Sequence, residues 1–364
     1  MNKILFKSLI IITLLISVLA LPLFQPAGLI VYIRLFLLFL ILLESFNLFK
    51  MTFIDRSIHN VLTNAGTVLF SLFVMFLFLE AIFMFIPRSH SADYTLASKL
   101  WYKKYWKPIN SMGFRDGEPD NSFPVILFVG DSFTAGHGLK SVDDRFSNIV
   151  GKELNQNGKK YNIINIGKPN ADSLGEFNLM MDFFYKTRIR PQIIVLQYWG
   201  NDIEYVAGEN GIKFEGFKPP ANMNKFLIFI GSGSYFFNYL YWLFPREYLG
   251  EPYMTFLHRA FKDETILSKH KKELKLFIDY ARRNSIKLIV IVFPFLTDTQ
   301  TSDSLYGNHI VSFFRDHKVN VINVSELVQN IPTPERIVNK NDGHASIKVN
   351  RVVAEEIIKT IQQK

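Results

Sequence analysis

Val125-Ile126-Leu127-Phe128-Val129, followed at once by Gly130-Asp131-Ser132-Phe133-Thr134, is the stretch that decides how the rest of the chain is read. Five successive apolar residues closed by a turn residue have the length and character of a strand buried on both faces, the signature of a parallel sheet. Glycine permits a tight exit from the strand, which leaves Ser132 at the C-terminal edge, where doubly wound sheets bind their ligands. A helix beginning there polarises the surroundings of the hydroxyl.

Working outward, further short apolar runs rich in β-branched residues predict strands at Tyr161 to Ile166, Gln192 to Tyr198, Ile286 to Phe293 and Asn320 to Val324. Helical periodicity falls between them, at Asp143 to Asn157, Leu174 to Tyr185, Glu264 to Asn284 and Ile347 to Ile361. Strand and helix in alternation predict an α/β domain over residues 122–364, with a five-stranded parallel sheet between two helical layers. The alternation breaks at residues 204–262, where two Pro-containing loops flank the aromatic run Ser234 to Phe244. This span reads as a helical insertion or lid; its aromatic side chains either pack in a core or cover an acyl chain or sugar face.

Upstream the composition changes. Of the 364 residues 49% are hydrophobic, and the excess lies before residue 90. Ile4 to Phe24, Gly28 to Phe49 and Val61 to Ile86 each approach the ~20 residues a helix needs to cross ~30 Å of hydrocarbon. Residues 1–88 are therefore expected to be an anchor of about three transmembrane helices, and residues 89–121 a juxtamembrane lead-in. Arg34 and Glu44 in the middle stretch call for snorkelling or a neighbouring helix, and Glu80 in the third reads as interfacial. Lys3, Lys7, Lys50 and Arg56 lie where the cytoplasmic side would be, and the loop Leu21 to Ala27 has no positive charge. That pattern predicts an in, out, in, out path with the following domain outside the cytoplasm. Val18 and Ala20 also suit a signal-peptide cleavage site, and cleavage would leave the domain on the same side. Trp101, Tyr102, Tyr105 and Trp106, interleaved with Lys103, Lys104 and Lys107, fit either a membrane interface or packing on the domain.

The absence of cysteine excludes thiol nucleophiles, disulfides and zinc sites built on Cys. A net charge of +9 comes from scattered Lys and Arg with no nucleic-acid motif, which fits a basic surface near anionic lipid and argues against nucleic acid as partner.

Three more blocks follow the first in order. Asn165-Ile166-Gly167-Lys168-Pro169-Asn170 follows the second strand, Gly200-Asn201-Asp202 the third, and Asp342-Gly343-His344 precedes the last helix. Together with Gly130-Asp131-Ser132 they resemble the SGNH, or GDSL-type, hydrolase superfamily, from Asn110 to the C-terminus. The lead-in Asn110-Ser111-Met112-Gly113-Phe114-Arg115-Asp116 is similar to that of many bacterial members. The resemblance implies a flavodoxin-like three-layer domain, an acyl-serine mechanism, and neither cofactor nor metal.

It also implies roles. Ser132 matches the nucleophile and His344 the general base, whose unperturbed pKa near 6.5 suits proton removal at neutral pH. Asp342 is the acid nearest in sequence to orient the imidazole. The oxyanion hole takes the Ser132 backbone N–H, the second-block N–H and the Asn201 amide, each such donor contributing ~3 to 4 kcal/mol. Asp131 and Asp202 are expected to brace loops, and His137 to line the pocket. The chain departs from the family pattern in three places. Phe133 replaces a leucine, and Asn170 stands where a glycine is usual, with Gly167 as the alternative. The usual acid position, three before the histidine, is Asn341.

An enzyme tethered on the outer membrane face meets acylated glycans, wall polymers and lipids, so esters on these, O-acetyl above all, are the expected substrates. Hydrolysis and acyl transfer use the same triad; transfer would require a membrane partner supplying the acyl group. A non-catalytic glycan-binding or scaffold subunit is the remaining class, and the intact Ser132, Asn201 and His344 argue against it.

Overall fold

The computed structural model describes residues 3–20, 29–53, 56–86, 89–90, 93–156, 160–216, 233–243, 250–340 and 342–363. The chain divides into two compact units: Met1–Pro87 with Thr95–Ala97 and Met223–Phe244, and Arg88–Tyr94 with Ser98–Asn222 and Pro245–Lys364.

In the first unit the apolar stretches form helices α1 (Lys3–Ala20), α2 (Leu29–Phe53) and α3 (Arg56–Phe83). Among the described residues one helix, Thr63–Phe83, is long and apolar enough to cross a membrane; Lys7–Ile16 and Phe39–Leu48 are shorter apolar helices. By length and apolarity, the expected three spanning helices are thus reduced to one within that set. The loop Leu21 to Ala27 lies outside the described residues. Glu44 meets a neighbouring helix, its Oε2 lying 2.6 Å from Lys7 Nζ of α1, and Phe39 of α2 stacks on Phe73 of α3 at 4.3 Å.

Glu80, read from sequence as interfacial, has partners within the first unit. It is buried, and its carboxylate accepts from Ser234 Oγ, from Tyr235 N at 2.9 Å and from Phe236 N at 3.0 Å. These are first-turn donors of the helix Tyr235–Leu243, which have no partner within their own helix. The aromatic run packs on α3, with Phe236 and Tyr239 against Phe83 and Phe237 against Phe76.

The second unit is built on strands β1 (Val125–Val129), β2 (Asn162–Asn165), β3 (Ile193–Tyr198), β4 (Lys287–Val292) and β5 (Asn320–Asn323). They form one parallel sheet in the order β2-β1-β3-β4-β5. Reversal of direction between β1 and β3 creates the crevice at which such sheets bind ligands. Side chains alternate across the sheet. Val125, Leu127 and Val129 share a core with Met180, Phe183, Leu274, Phe277 and Phe314. Ile126 and Phe128 face Val150, Leu154, Val349, Val353 and Ile357. Helices Ser173–Thr187, Glu264–Arg283 and Asn308–Asp316 thus cover one face, and Phe146–Gln156 and Ile347–Gln362 the other. Burying each large side chain contributes about 1.5–3 kcal/mol, which is what holds the three layers together.

The span 204–262 is divided between the units. Glu204–Glu209 and Tyr253–Lys262 form helices whose Val206, Phe256 and Leu257 enter the first of these cores, whereas residues 217–232 and 244–249 lie outside the described residues. One element has no helical or alternating signature in sequence, the hairpin of β6 (Ile337–Asn339) and β7 (Asp342–Ala345).

Candidate active site

β1 delivers Ser132, the candidate nucleophile. Asp131 caps the helical turn Ser132–Ala135, its Oδ1 accepting from Phe133 N at 2.8 Å, so Ser132 opens that turn half-buried. Gln197 of β3 locks the same turn: its Oε1 accepts from Asp131 N at 3.0 Å and from Thr134 Oγ1 at 2.9 Å.

β7 delivers His344, the candidate base. His344 Nε2 lies 2.9 Å from Ser132 Oγ, and His344 Nδ1 lies 2.6 Å from Asp342 Oδ1, which also accepts from His344 N at 3.1 Å. Nδ1 donates to the carboxylate, so Nε2 offers its lone pair to the serine. Behind the histidine, Ser346 caps the helix Ile347–Gln362. Buried Asn350 donates to Ala345 O at 3.1 Å and accepts from Phe146 N at 3.0 Å, tying the end of β7 to both helices of the layer it packs in. Asn341, the family's usual acid position, lies outside the described residues; the acid on the imidazole is Asp342.

Burial works to raise the Asp342 carboxyl, but hydrogen bonds from His137 and His344 and the charge of both imidazoles reverse this, leaving it well below the usual range. Burial pushes Asp131 up to about 6, against the Phe133 N–H, the His344 imidazole and the Gln197 and Asn201 amides. Asp131, Asp342 and His344 thus stand in distinct electrostatic settings within one loop cluster. His137, Asp342 and His344 offer ligand atoms within 4.8 Å of one another, the spacing of a metal group. Here the atoms that face each other are engaged in the 2.6 Å and 3.2 Å hydrogen bonds of Asp342.

Of the expected oxyanion donors, Asn170 has φ 63, the left-handed conformation that asparagine tolerates best after glycine. It lies on the loop after β2 and lines a surface depression with Lys168, Asp172 and Leu179. Asn201 sits half-buried in the turn Gly200–Ile203 after β3. Asp202 braces that turn, its Oδ2 accepting from Trp199 N at 2.9 Å. Gly167 is corrected as a donor: its N–H is given to Asn165 Oδ1 at 2.9 Å. It is glycine for another reason, since a Cβ would collide with Ala135 N and come within 2.7 Å of the Thr134 carbonyl carbon. The second block therefore packs its backbone directly onto the nucleophile turn.

The lead-in acts through two buried arginines. Arg115 donates to Gly136 O at 2.6 Å, Leu139 O at 2.7 Å and Tyr105 O at 2.9 Å, and its guanidinium stacks over Trp106. Burial and the charge of Arg145 lower it to about 10. Arg145 donates to Arg115 O and Asp116 Oδ1, and Asp116 Oδ2 accepts from Asn165 N at 2.8 Å. The segment joins the first and second blocks through main-chain contacts. Tyr102 and Trp106 pack edge-on against His137, so these two members of the aromatic run pack on the domain.

Sequence reasoning missed Arg115, Arg145, Glu176 and the full role of His137. Glu176 is buried with neither oxygen hydrogen-bonded among the described residues, and burial followed by the charge of Asp202 raises it well above the usual carboxyl range. A buried-helix carboxyl among apolar neighbours was the available signal.

No family model matches the chain, and no curated protein is similar to it in sequence. Among solved structures it is similar to TesA (13% identity, 65% of this chain and 98% of that one, TM-score 0.41). It is also similar to a lipase/acylhydrolase from Enterococcus faecalis (14%, 66% and 95%, TM-score 0.41) and to the acetyl xylan esterase AlAXEase (16%, 65% and 99%, TM-score 0.40). Independently of those likenesses, the first three blocks stand at the C-terminal ends of β1, β2 and β3 and the fourth lies in the hairpin strand β7, and Ser132, His344 and Asp342 meet within hydrogen-bonding distance. The second unit is thus a three-layer α/β domain that brings a Ser-His-Asp hydrogen-bonded chain to the ends of its sheet strands.

Proposed function

We propose that the protein is a membrane-anchored serine esterase that removes acyl groups, O-acetyl above all, from a surface glycan, wall polymer or lipid outside the cytoplasm. The observation that carries the chemistry is the continuous hydrogen-bonded path from Ser132 Oγ through His344 to Asp342. In the forward step Ser132 Oγ bonds to the ester carbonyl carbon while its proton passes to His344 Nε2. The oxyanion is met by the Ser132 and Asn170 backbone N–H groups and the Asn201 amide. Collapse breaks the bond to the alcohol oxygen, which takes the proton from His344. A water then gives its proton to His344 and attacks the acyl-serine, releasing the carboxylic acid and restoring Ser132.

The location rests on the first unit. The 21 residues of Thr63–Phe83 extend ~31 Å at the helical rise, enough for one bilayer core. The bias of Lys3, Lys7, Lys50 and Arg56 supports an orientation that leaves the hydrolase domain outside. Anchoring beside acylated envelope polymers supports this substrate class.

An active-site fluorophosphonate tests the mechanism. Wild type is expected to be labelled and Ser132→Ala not; undiminished labelling of the variant removes Ser132 from the reaction. Reporter fusions after Arg88 test the location and are expected to be active only outside the cytoplasm.

A further inference from the structure

Asp342 serves two imidazoles. Its Oδ1 takes the two N–H groups of His344, and its Oδ2 lies 3.2 Å from His137 Nδ1. An ionised carboxylate only accepts, so this contact requires the Nδ1–H tautomer of His137. The His137 ring stacks on that of His344 at 4.1 Å with 23° between planes, and Tyr102 and Trp106 close its far side. Gly138 makes the approach possible, since a Cβ there would lie 2.6 Å from Asp342 Oδ2 and 2.7 Å from Val338 Cγ2. With φ +80 it also turns the chain so that His137 folds back on the hairpin.

We propose that His137 is a positioning residue for the esterase reaction, one that grips the free oxygen of the triad acid and walls the outer face of the general base. The inference rests on the serine-esterase reading above. With only the Oδ1 contacts, the Asp342 carboxylate is free to swing about its last bond; the second contact fixes the plane in which His344 Nδ1–H must lie. The groups facing His137 are Asp342, His344, Arg115 and Tyr102. Burial, with the charge of His344 and Arg115, holds the His137 imidazole below its ordinary value against the pull of Asp342. It therefore stays neutral while His344 carries the proton taken from Ser132, and two stacked cations are avoided.

The test uses the full chain in detergent micelles, with p-nitrophenyl acetate and a pH profile of kcat/KM for His137→Phe, His137→Gln and Asp342→Asn. Phenylalanine keeps the stacked ring and loses the donor. It is expected to lower kcat about tenfold, the effect of one hydrogen bond to a charged group, with KM within about twofold. With one donor lost, the Asp342 charge concentrates on His344, so the acid limb moves to higher pH by about half a unit. Glutamine, which retains a donor, is expected to restore the limb. In the Asp342→Asn background, His137→Phe is expected to add no further loss, because its effect passes through the carboxylate. Wild-type kcat and acid limb in His137→Phe, or losses that add fully to those of Asp342→Asn, overturn the proposal. Should His137→Phe not fold, His137→Met, apolar and without a donor, takes its place under the same criteria. Ser132→Ala is run beside them. Activity surviving in Ser132→Ala refutes the esterase reading itself, whereas loss there with an unchanged His137→Phe refutes only the role of His137.

Discussion

Replacing Glu176 by glutamine is expected to stabilise the protein progressively as the pH rises. Glu176 is 1% exposed, and neither of its oxygens has a hydrogen-bond partner among the described residues. Burial, then the charges of Asp202 and Asp131, push its carboxyl well above the ordinary range. In the unfolded chain the group releases its proton near pH 4.3. The folded state thus binds more protons than the unfolded state from that pH up to the raised folded value, and stability falls across the whole window. Each pH unit in it costs about 1.4 kcal/mol per retained proton. Glutamine cannot ionise, so that loss disappears, and its amide can donate to Asp202 Oδ1, which is unpartnered among the described residues. Asp202 is shifted in the same direction and keeps its own slope. The assay is thermal unfolding of the full chain in micelles at half-unit steps from pH 5 to 8. Wild type and Glu176→Gln are expected to coincide near pH 5 and diverge above it, the variant melting higher. Parallel curves over this range would show that Glu176 ionises normally and that the carboxyl is hydrated or paired.

Three further outcomes follow from the geometry. Asp342→Asn keeps the shape of the acid but loses the charge that holds the His344 tautomer, so kcat is expected to fall by about 10³–10⁴ with labelling by fluorophosphonate strongly slowed; near-wild-type turnover eliminates Asp342 as the acid. Gly167→Ala places a methyl against the Ala135 backbone nitrogen, where no flexible side chain can yield; denaturant unfolding is expected to show a loss of about 1–3 kcal/mol, and an unchanged midpoint contradicts the close approach. Glu80→Ala removes the cap of the helix Tyr235–Leu243, a change of about 1–2 kcal/mol; chymotrypsin is expected to cut at Phe236 to Tyr241 faster than in wild type, and equal cutting rates would show that the helix does not depend on Glu80.

The sheet is legible in the sequence because a strand buried on both faces must be apolar throughout, as Val125–Val129 and Ile193–Tyr198 are. The covering helices are legible because one stripe of each enters a core, as with Leu274, Phe277 and Ile278. The hairpin that carries Asp342 and His344 has neither property. Asp342-Gly343-His344 is polar, short and half-exposed, and its strand character comes from pairing with Ile337–Asn339 rather than from any local preference. The same limit hides Glu80, whose position on an apolar helix suggests an interface until the N–H groups of a helix some 155 residues later are seen to end on it.

The site divides along a comparable line, and the division has a chemical reason. Ser132, Asn201 and His344 are readable because the proposed reaction demands a hydroxyl, an amide and an imidazole, and few residue types can supply them. Arg115, Arg145 and His137 act on main-chain carbonyls, on Asp116 and on Asp342, groups that any sequence contains. Their partners leave no complementary residue type at a fixed spacing, so only the folded arrangement reveals them. Yet they decide whether the readable residues meet. Arg115 reaches Gly136 O and Leu139 O on either side of His137, and His137 in turn reaches Asp342. The lead-in block is thereby two contacts from Asp342, so the segment whose sequence resembles that of many bacterial SGNH hydrolases serves here to hold the loops that carry His137 and Asp342.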